Sequence, residues 1–295
     1  MSAIGQQTYG IDHPLVTVKD HARALEQFRA LGFSPSPISY HPWGTVTSLL
    51  MFPGNFIEVI GVDDESKFGT NSVNGFCFGR QLGAFLQRGE EGISLVALHS
   101  KDADADHASL TERGLNSQGR IDFRRKMTLP DGSPDEAVVS LALFIDDDTP
   151  DISNFICHQH RPELIWVKGW QQHANGVTGI VGLTYIGDLN LYQQRWQSIY
   201  QDKVQRFGDK VEVDSGCGWL RAVSRDKAET VFQPVELPTT TSERPHAVAM
   251  TLNTTSLTGL KQLLQANKVP FYNDEHRVII QPELAGNVIL EFIES

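Results

Sequence analysis

The chain has 295 residues, long enough for two domains that each bury a core, and its 40% hydrophobic and 21% charged content is that of a globular protein in water. A formal net charge of -11 repels nucleic-acid phosphates and anionic membrane surfaces, and no apolar run reaches membrane-spanning length, so neither partner is expected. The three cysteines, Cys77, Cys157 and Cys217, have no disulfide-framework or metal-motif spacing, and Met1 to Gly10 lacks a basic and apolar leader, so the expected location is the cytoplasm.

The first stretch, Asp12 to Val62, alternates strand and helix signals. His13-Pro14-Leu15-Val16-Thr17-Val18 has the β-branched content of a strand. Asp20 opens a helical period with Ala24, Leu25, Phe28 and Leu31 on one face and Gly32 as its stop. Thr45 to Phe52 and Asn55 to Ile60 flank the turn Pro53-Gly54 and predict a hairpin. Its second strand carries Glu58 between Ile57 and Val59, and a carboxylate buried there is costly without a partner. His13 is the candidate. Before the hairpin, His41-Pro42-Trp43-Gly44 combines an imidazole, a rigid turn and an amphipathic ring, which suits either a pocket rim or a tryptophan packed under a loop.

The same order then recurs. After a short helix around Leu82 to Leu86 come a strand at Ile93 to Leu98, a helix with Ala105, Ala108 and Leu110 that stops at Gly114, and strands at Ile121 to Met127, Ala137 to Ile145 and Asn154 to Cys157. An aromatic-rich loop, Trp166 to Gly176, leads to a strand at Gly179 to Ile186, an amphipathic helix at Leu189 to Tyr200, and strands at Lys210 to Val213 and Trp219 to Val223. The linker Pro234 to Pro245 precedes a strand at His246 to Leu252, a helix at Ser256 to Ala266, and strands at Phe271-Tyr272, Arg277 to Gln281 and Asn287 to Ile293. Four β-α-β-β-β passes are internal repetition. They predict an α+β fold of four βαβββ modules paired into two curved mixed-sheet lobes, residues 1–172 and 173–295.

The pattern resembles the vicinal oxygen chelate superfamily, which includes glyoxalase I, extradiol dioxygenases and bleomycin-resistance proteins, and particularly its glyoxalase-like branch. In architecture the resemblance covers nearly the whole chain; in motif it rests on Asp12 to Val62 and Phe155 to Gly179. It implies that paired modules form an incomplete barrel around a site, and that a divalent ion (Zn, Ni, Fe or Mn) is bound by a His or Gln on the first strand and a Glu on the last strand of a module. His13 and Glu58 occupy those positions here. A small-molecule substrate or ligand in the cleft follows from the same resemblance.

A catalytic divalent ion needs a third protein ligand and an open position. Asn154-Phe155-Ile156-Cys157 matches Asn55-Phe56-Ile57-Glu58, so Cys157 stands where the second module would offer its Glu, and Ser94 or Leu95 where it would offer its His. His158, His160 and His173 are the candidate replacements. His158 and His160 share the strand face opposite Cys157 and Gln159, so one pair looks inward unless the strand ends or bulges. Arg161-Pro162 supplies such an end and singles out His160 as the metal ligand, against a reading as surface histidines.

His173-Ala174-Asn175-Gly176, with Trp166 and Trp170, resembles a recurring segment of the glyoxalase-like branch, although Asn175-Gly176 also reads as a turn. On that basis His41, Trp43, His173 and Asn175 are candidate substrate contacts, and Glu58 and His173 candidates to move a proton. In the last two modules Val181 and Arg221, then His246 and Glu291, stand near the ligand positions. An arginine repels an ion and Glu291 is one residue out of register, so this half reads as mainly structural.

The chain has no G-x-S-x-G elbow, P-loop, dinucleotide glycine fingerprint or H-E-x-x-H, and Asp102, Asp104 and Asp106 suit a helix N-terminus rather than a calcium loop. Three functions remain: a glyoxalase-like metal-dependent lyase or isomerase that stabilises an enediolate or oxyanion, a metal-free small-molecule-binding protein, and an extradiol-type dioxygenase should two histidines join Glu58. Oligomerisation is left open.

Overall fold

The structure is a computed structural model that describes residues 8–129 and 131–294. Its first sheet is built by β1 (Ile11–Thr17), α1 (His21–Ala30), β2 (Ser39–Tyr40), β3 (Thr45–Met51) and β4 (Phe56–Val62), then, after α2 (Phe78–Gln87), by β5 (Gly92–Ser100), α3 (Ala103–Glu112), β6 (Gly119–Thr128), β7 (Pro134–Phe144) and β8 (Asn154–Gln159). A short α4 (Pro162–Ile165) leads to the second sheet: β9 (Val177–Ile186), α5 (Leu189–Tyr200), β10 (Gln205–Phe207), β11 (Lys210–Asp214), β12 (Trp219–Val223), α6 (Arg225–Phe232), β13 (His246–Thr254), α7 (Leu257–Ala266), β14 (Tyr272–Asn273), β15 (Arg277–Ile280) and β16 (Ile289–Glu294).

The two sheets have one topology. The first runs β2-β3-β4-β1-β5-β8-β7-β6 and the second β10-β11-β12-β9-β13-β16-β15-β14. In each module the first strand pairs parallel with the last, and two modules join through their antiparallel first strands. This is the two-lobed vicinal oxygen chelate fold, and the fourfold repeat read from the sequence is its cause.

Local signals explain the elements that frame the site. Asp20 caps α1 by accepting from the Arg23 amide at 2.9 Å, and Ala24, Leu25 and Phe28 turn inward as their spacing requires. Phe28 is fully buried, a contribution of about 1.5–3 kcal/mol. Gly32 ends the helix at φ +86°, where an added Cβ would meet Asn175 at 3.0 Å and Leu263 at 2.9 Å, so the stop is also a close contact with the second lobe.

The outer face of the first sheet, with Ile11, Val16, Leu50 and Ile57, shares one continuous core with Ile180, Leu183, Leu252 and Phe292 of the second. The inner face holds a separate, smaller core around Leu15, Ile60, Leu141 and Phe155. The sheet curls until its two ends touch, Trp43 meeting Phe123 on β6 with ring centroids 4.9 Å apart. Helix α2, outside the repeat, closes the barrel mouth with Phe78 against Trp43 at 5.1 Å and Phe155 at 5.2 Å.

The structure corrects the register assumed for the other modules. Glu58 pairs with Leu15, and the corresponding last-strand residues Cys157, Arg221 and Glu291 pair with His99, Thr184 and Thr251. The positions equivalent to His13 are therefore Ala97, Gly182 and Ala249, rather than Ser94 or Leu95, Val181 and His246. Glu291 has the same register as Glu58 after all: it pairs with Thr251 in a β13–β16 ladder that runs without a shift from Ala249 to Thr254. Its carboxylate is held by Arg277 Nη1 at 2.8 Å and Thr251 Oγ1 at 2.8 Å, while Arg221 pairs with Glu212 at 2.7 Å. No imidazole stands at the first-strand positions of the second lobe.

Candidate metal centre

The inner face of the first lobe positions Glu58. One residue of slip in β4 would turn it outward, but its pairing with Leu15 of β1 and Leu49 of β3 fixes it inward. It is 6% exposed. Its Oε2 lies 3.5 Å from His13 Nε2, its Oε1 lies 3.7 Å from His41 Nε2, and Oε1 accepts from Thr47 Oγ1 at 2.8 Å. A buried carboxylate needs such partners.

His13 reaches this point through a bulge. β1 pairs Ile11 with Leu98 and His13 with Ala97, so Asp12 is the extra residue and its side chain lies beside the imidazole rather than across the sheet. Asp12 Oδ1 is 2.5 Å from His13 Nδ1 and Oδ2 is 2.7 Å from His99 Nδ1. The second contact is short but poorly aligned as a hydrogen bond, and is better described as an ion pair. Burial pushes the Asp12 carboxyl up, but the His99 charge and the close contacts of both imidazoles outweigh it and hold Asp12 below the ordinary carboxylate range. Burial pulls His99 down, yet Asp12, with the Cys217 thiol and the Gly54 carbonyl, raises it to about 10. An ionised Asp12 only accepts, so His13 donates from Nδ1 and Nε2 is the ring nitrogen turned toward Glu58. The ring is stacked on Phe56 with centroids 4.2 Å apart.

His41 is set by the turn ahead of β3. Gly44 has φ +82° and its backbone lies against the Asp64 carbonyl with no space for a Cβ; its own carbonyl takes the Asp63 and Asp64 amides at 2.9 and 3.0 Å. His41 Nδ1 is 3.0 Å from Thr45 Oγ1, and the ring stacks on Trp43 at 4.8 Å. Burial lowers its pKa to about 4 against the pull of Glu58, so it is a neutral imidazole at neutral pH, the form that ligates.

Two imidazole nitrogens thus flank the two oxygens of one carboxylate. Metal bonds of 2.0–2.2 Å put neighbouring donors roughly 3–3.5 Å apart, so each imidazole–carboxylate contact is close to that spacing. The three side chains do not bring one donor atom each within 4.8 Å of one another, so the two imidazoles would have to draw together around Glu58 to share one ion. The donor set is two histidines and a carboxylate, which leaves positions for other ligands. A second set shares His13: donor atoms of Asp12, His13 and Cys157 lie within 4.8 Å of one another, and this buried group could hold an ion. Asp12 is, however, already engaged by His13 and His99. The Cys157 thiol is pushed up by burial and by the nearby Asp12 and Glu58 carboxylates, and takes the Gln159 amide at 3.1 Å.

The cavity is about 50 Å³, space for a few waters, or for an ion with the chelating end of a ligand. It continues into a groove of about 1030 Å³. His41, Leu49 and Arg125 line both spaces and form the neck between them.

Three sequence candidates do not join this centre. His160 is exposed just past the end of β8, on the face opposite Cys157, where its Nε2 bonds Ser140 Oγ at 2.7 Å and its ring lies tilted against His158. The strand continues regularly through Gln159, so its period sends His160 outward. His173 accepts the Ser34 amide on Nδ1 at 3.0 Å and donates from Nε2 to the Met51 carbonyl at 2.8 Å, which uses both nitrogens. Asn175 donates to the Leu31 carbonyl at 3.0 Å and accepts the Val177 amide at 3.1 Å. Both tie the lobes together. Trp43 does line the cavity, with its indole nitrogen buried and unpartnered among the described residues.

The sequence reading gave Asp12, Thr47 and His99 no role. Asp12 beside His13 was visible, but only the bulge makes them partners; His99 lies 86 residues from His13 and nothing local points to it.

Comparison with known proteins follows this geometry. No curated protein matches the chain. Among solved structures, a hypothetical protein from Staphylococcus aureus has a TM-score of 0.67 at 12% identity, covering 97% of this chain and 99% of that one. A mutant of 4-hydroxymandelate synthase from Streptomyces coelicolor has a TM-score of 0.57 at 10% identity, covering 98% and 93%. A xylose isomerase-like TIM barrel/4-hydroxyphenylpyruvate dioxygenase fusion protein has 0.54 at 12% identity, covering 98% of this chain and 49% of that one. At these identities the likeness is one of fold. The model of the glyoxalase-like domain matches residues 11–200, which takes in every residue of the centre, and the chain belongs to that family.

Proposed function

We propose that the first lobe is a metal-dependent catalytic centre for a small substrate that presents two neighbouring oxygens, with His13, His41 and Glu58 as the protein ligands. The observation that carries this reading is the approach of His13 Nε2 and His41 Nε2 to the two oxygens of Glu58, at 3.5 and 3.7 Å. A divalent ion there would act as a Lewis acid toward chelating oxygens and, as iron(II), would also support oxygen chemistry. Asp12 holds the His13 tautomer, Thr45 and Trp43 hold His41, and the apolar walls exclude water.

The remaining polar groups on the wall bear on the reaction. Arg125 and the Trp43 indole only donate, Gln159 is neutral, and burial keeps the Cys157 thiol protonated. None is a base at neutral pH, which favours extradiol-type dioxygenation over an isomerase or lyase step that must move a carbon-bound proton. The lyase or isomerase reading survives if Glu58 itself serves as that base, as the family resemblance implied.

Metal analysis of purified protein tests the centre. The parent should retain about one divalent ion and Glu58→Gln almost none. Equal content in the two would end the ligand role, and a metal-free ligand-binding protein would become the better account. Oxygen uptake by iron(II)-loaded protein on addition of catechol, lost in Glu58→Gln, supports dioxygenation; no uptake by the metal-loaded parent counts against it.

A further inference from the structure

Arg125 stands in the neck between cavity and groove with no hydrogen bond or ion pair to its guanidinium among the described residues. Its neighbours on β6 differ. Arg124 pairs with Glu136 at 3.0 Å, and Arg120 with Asp104 and Asp122. The register explains the difference: Arg125 opposes Ala137 and shares the inner face with Phe123, which opposes Val139, whereas Arg124 opposes Val138 on the outer face. Burial works against the Arg125 charge and Glu58 favours it, yet no contact ion pair joins the two. A half-buried guanidinium with five donors and no protein acceptor is available to a ligand that reaches the neck.

Other unmet polar groups lie on the same cavity. The Trp43 indole N–H and Gln159 Oε1 line it, buried and without partners among the described residues. The outer groove is lined by Lys67, Arg124, Arg125 and Lys126 against the acids Asp135, paired to Arg161, and Glu136, paired to Arg124; Lys67 pairs with Asp64 outside the groove. In a chain of net charge -11 this groove reverses the sign of the surface. The space is also asymmetric. About 50 Å³ at the ligating side chains admits only the chelating end of an organic molecule, so the rest must pass Arg125 to reach the groove.

We propose that the substrate is a carboxylate-bearing molecule whose neighbouring oxygens enter the cavity while its carboxylate is held by Arg125 at the neck. A planar guanidinium takes a planar carboxylate through two parallel hydrogen bonds, and the low-dielectric wall strengthens them. The cationic groove draws such an anion to an otherwise acidic protein. The chelating half of this proposal rests on the metal reading above; the Arg125 half does not, and the test separates them.

The probes are benzoate and benzamide on chelator-treated protein, and 3,4-dihydroxybenzoate and catechol on metal-loaded protein, with binding followed by tryptophan fluorescence and calorimetry. Benzoate is expected to bind at least about tenfold more tightly than benzamide, the scale of one charge-assisted hydrogen-bonded pair. Dihydroxybenzoate should exceed catechol by a similar factor. Arg125→Gln should bring both ratios close to one without changing metal content, and Arg125→Lys should keep part of the preference. Should Arg125→Gln fail to fold, the two ratios in the parent and in Arg125→Lys still decide. Ratios near one in the parent, or ratios unchanged in Arg125→Gln, overturn the proposal. Loss of catechol binding while the benzoate preference persists would count against the metal reading alone.

Discussion

Asp12 and His13 are neighbours in a strand, yet their side chains lie together, with Asp12 Oδ1 2.5 Å from His13 Nδ1. Regular alternation would send them to opposite faces. The bulge that follows Ile11 removes the conflict and gives His13 a fixed tautomer before any ligand arrives.

That relationship makes the first prediction. Asp12→Asn keeps the shape but removes the charge that fixes the imidazole, and should weaken metal affinity roughly 10–100-fold, the usual cost of losing such a support. Titration with a competing chelator reads it directly. Affinity equal to the parent's would mean that Asp12 serves only the fold.

The proposal of His41 as third ligand gives the second. His41→Ala should reduce bound metal to a trace, whereas His160→Ala and Cys157→Ala should retain it. Should Cys157→Ala lose the ion and His41→Ala keep it, the Asp12, His13 and Cys157 grouping is the true donor set. His160→Ala serves as a surface control, since its ring contacts Ser140 and His158 rather than the cavity.

How these residues were read from sequence follows from the range of the signal. His13 and Glu58 were legible because each sits at a fixed place in a module, and hydrophobic periodicity places modules well. His41 was legible only as a pocket-rim residue, because its ligand geometry depends on a turn closed by Gly44 against Asp64. His160 faces outward because β8 runs to Gln159, two residues beyond the expected end at Cys157. His173 and Asn175 were singled out as a recurring segment, and that segment is a lobe clasp. Arg125 carries no local signal of its role: its inward direction follows from β6–β7 pairing, a contact across a hairpin that local pattern does not report.

His99 gives a pH prediction. Its folded pKa of about 10 lies above the ordinary histidine value, so its contribution to stability is complete below about pH 6.5 and is lost as pH rises toward 10. Asp12 moves in the opposite sense, so its contribution is complete above its ordinary range and is lost as pH falls below about 4. The unfolding free energy of chelator-treated protein should therefore fall between pH 7 and 10 by roughly a few kcal/mol, the scale set by 1.4 kcal/mol per pKa unit. His99→Gln should flatten that slope while lowering stability near pH 7. An alkaline limb identical in the two proteins would contradict the charged pair.

The last prediction concerns the second lobe. Asn55, at the hairpin turn before Glu58, donates to the Ile180 carbonyl at 2.9 Å and accepts the Ile180 amide at 2.9 Å, so one side-chain amide pairs with β9 as a neighbouring strand would. Its repeat equivalent Asn154 likewise reaches the second lobe, accepting from Arg195 Nε on α5 at 3.1 Å. The matching asparagines of the two modules are thus docking residues, and the second lobe braces the strand that carries Glu58. Asn55→Ala leaves a buried amide and a buried carbonyl unpaired, each costing about 1–3 kcal/mol, so stability should fall by roughly 2–4 kcal/mol. Because the two sheets share one core, unfolding should remain a single transition, at a lower denaturant midpoint. Metal content of the folded variant should match the parent's, since Asn55 touches neither imidazole nor carboxylate of the centre. A midpoint unchanged within error would show that the contact across the lobes carries no stability, and loss of metal from fully folded protein would move Asn55 from the brace to the site.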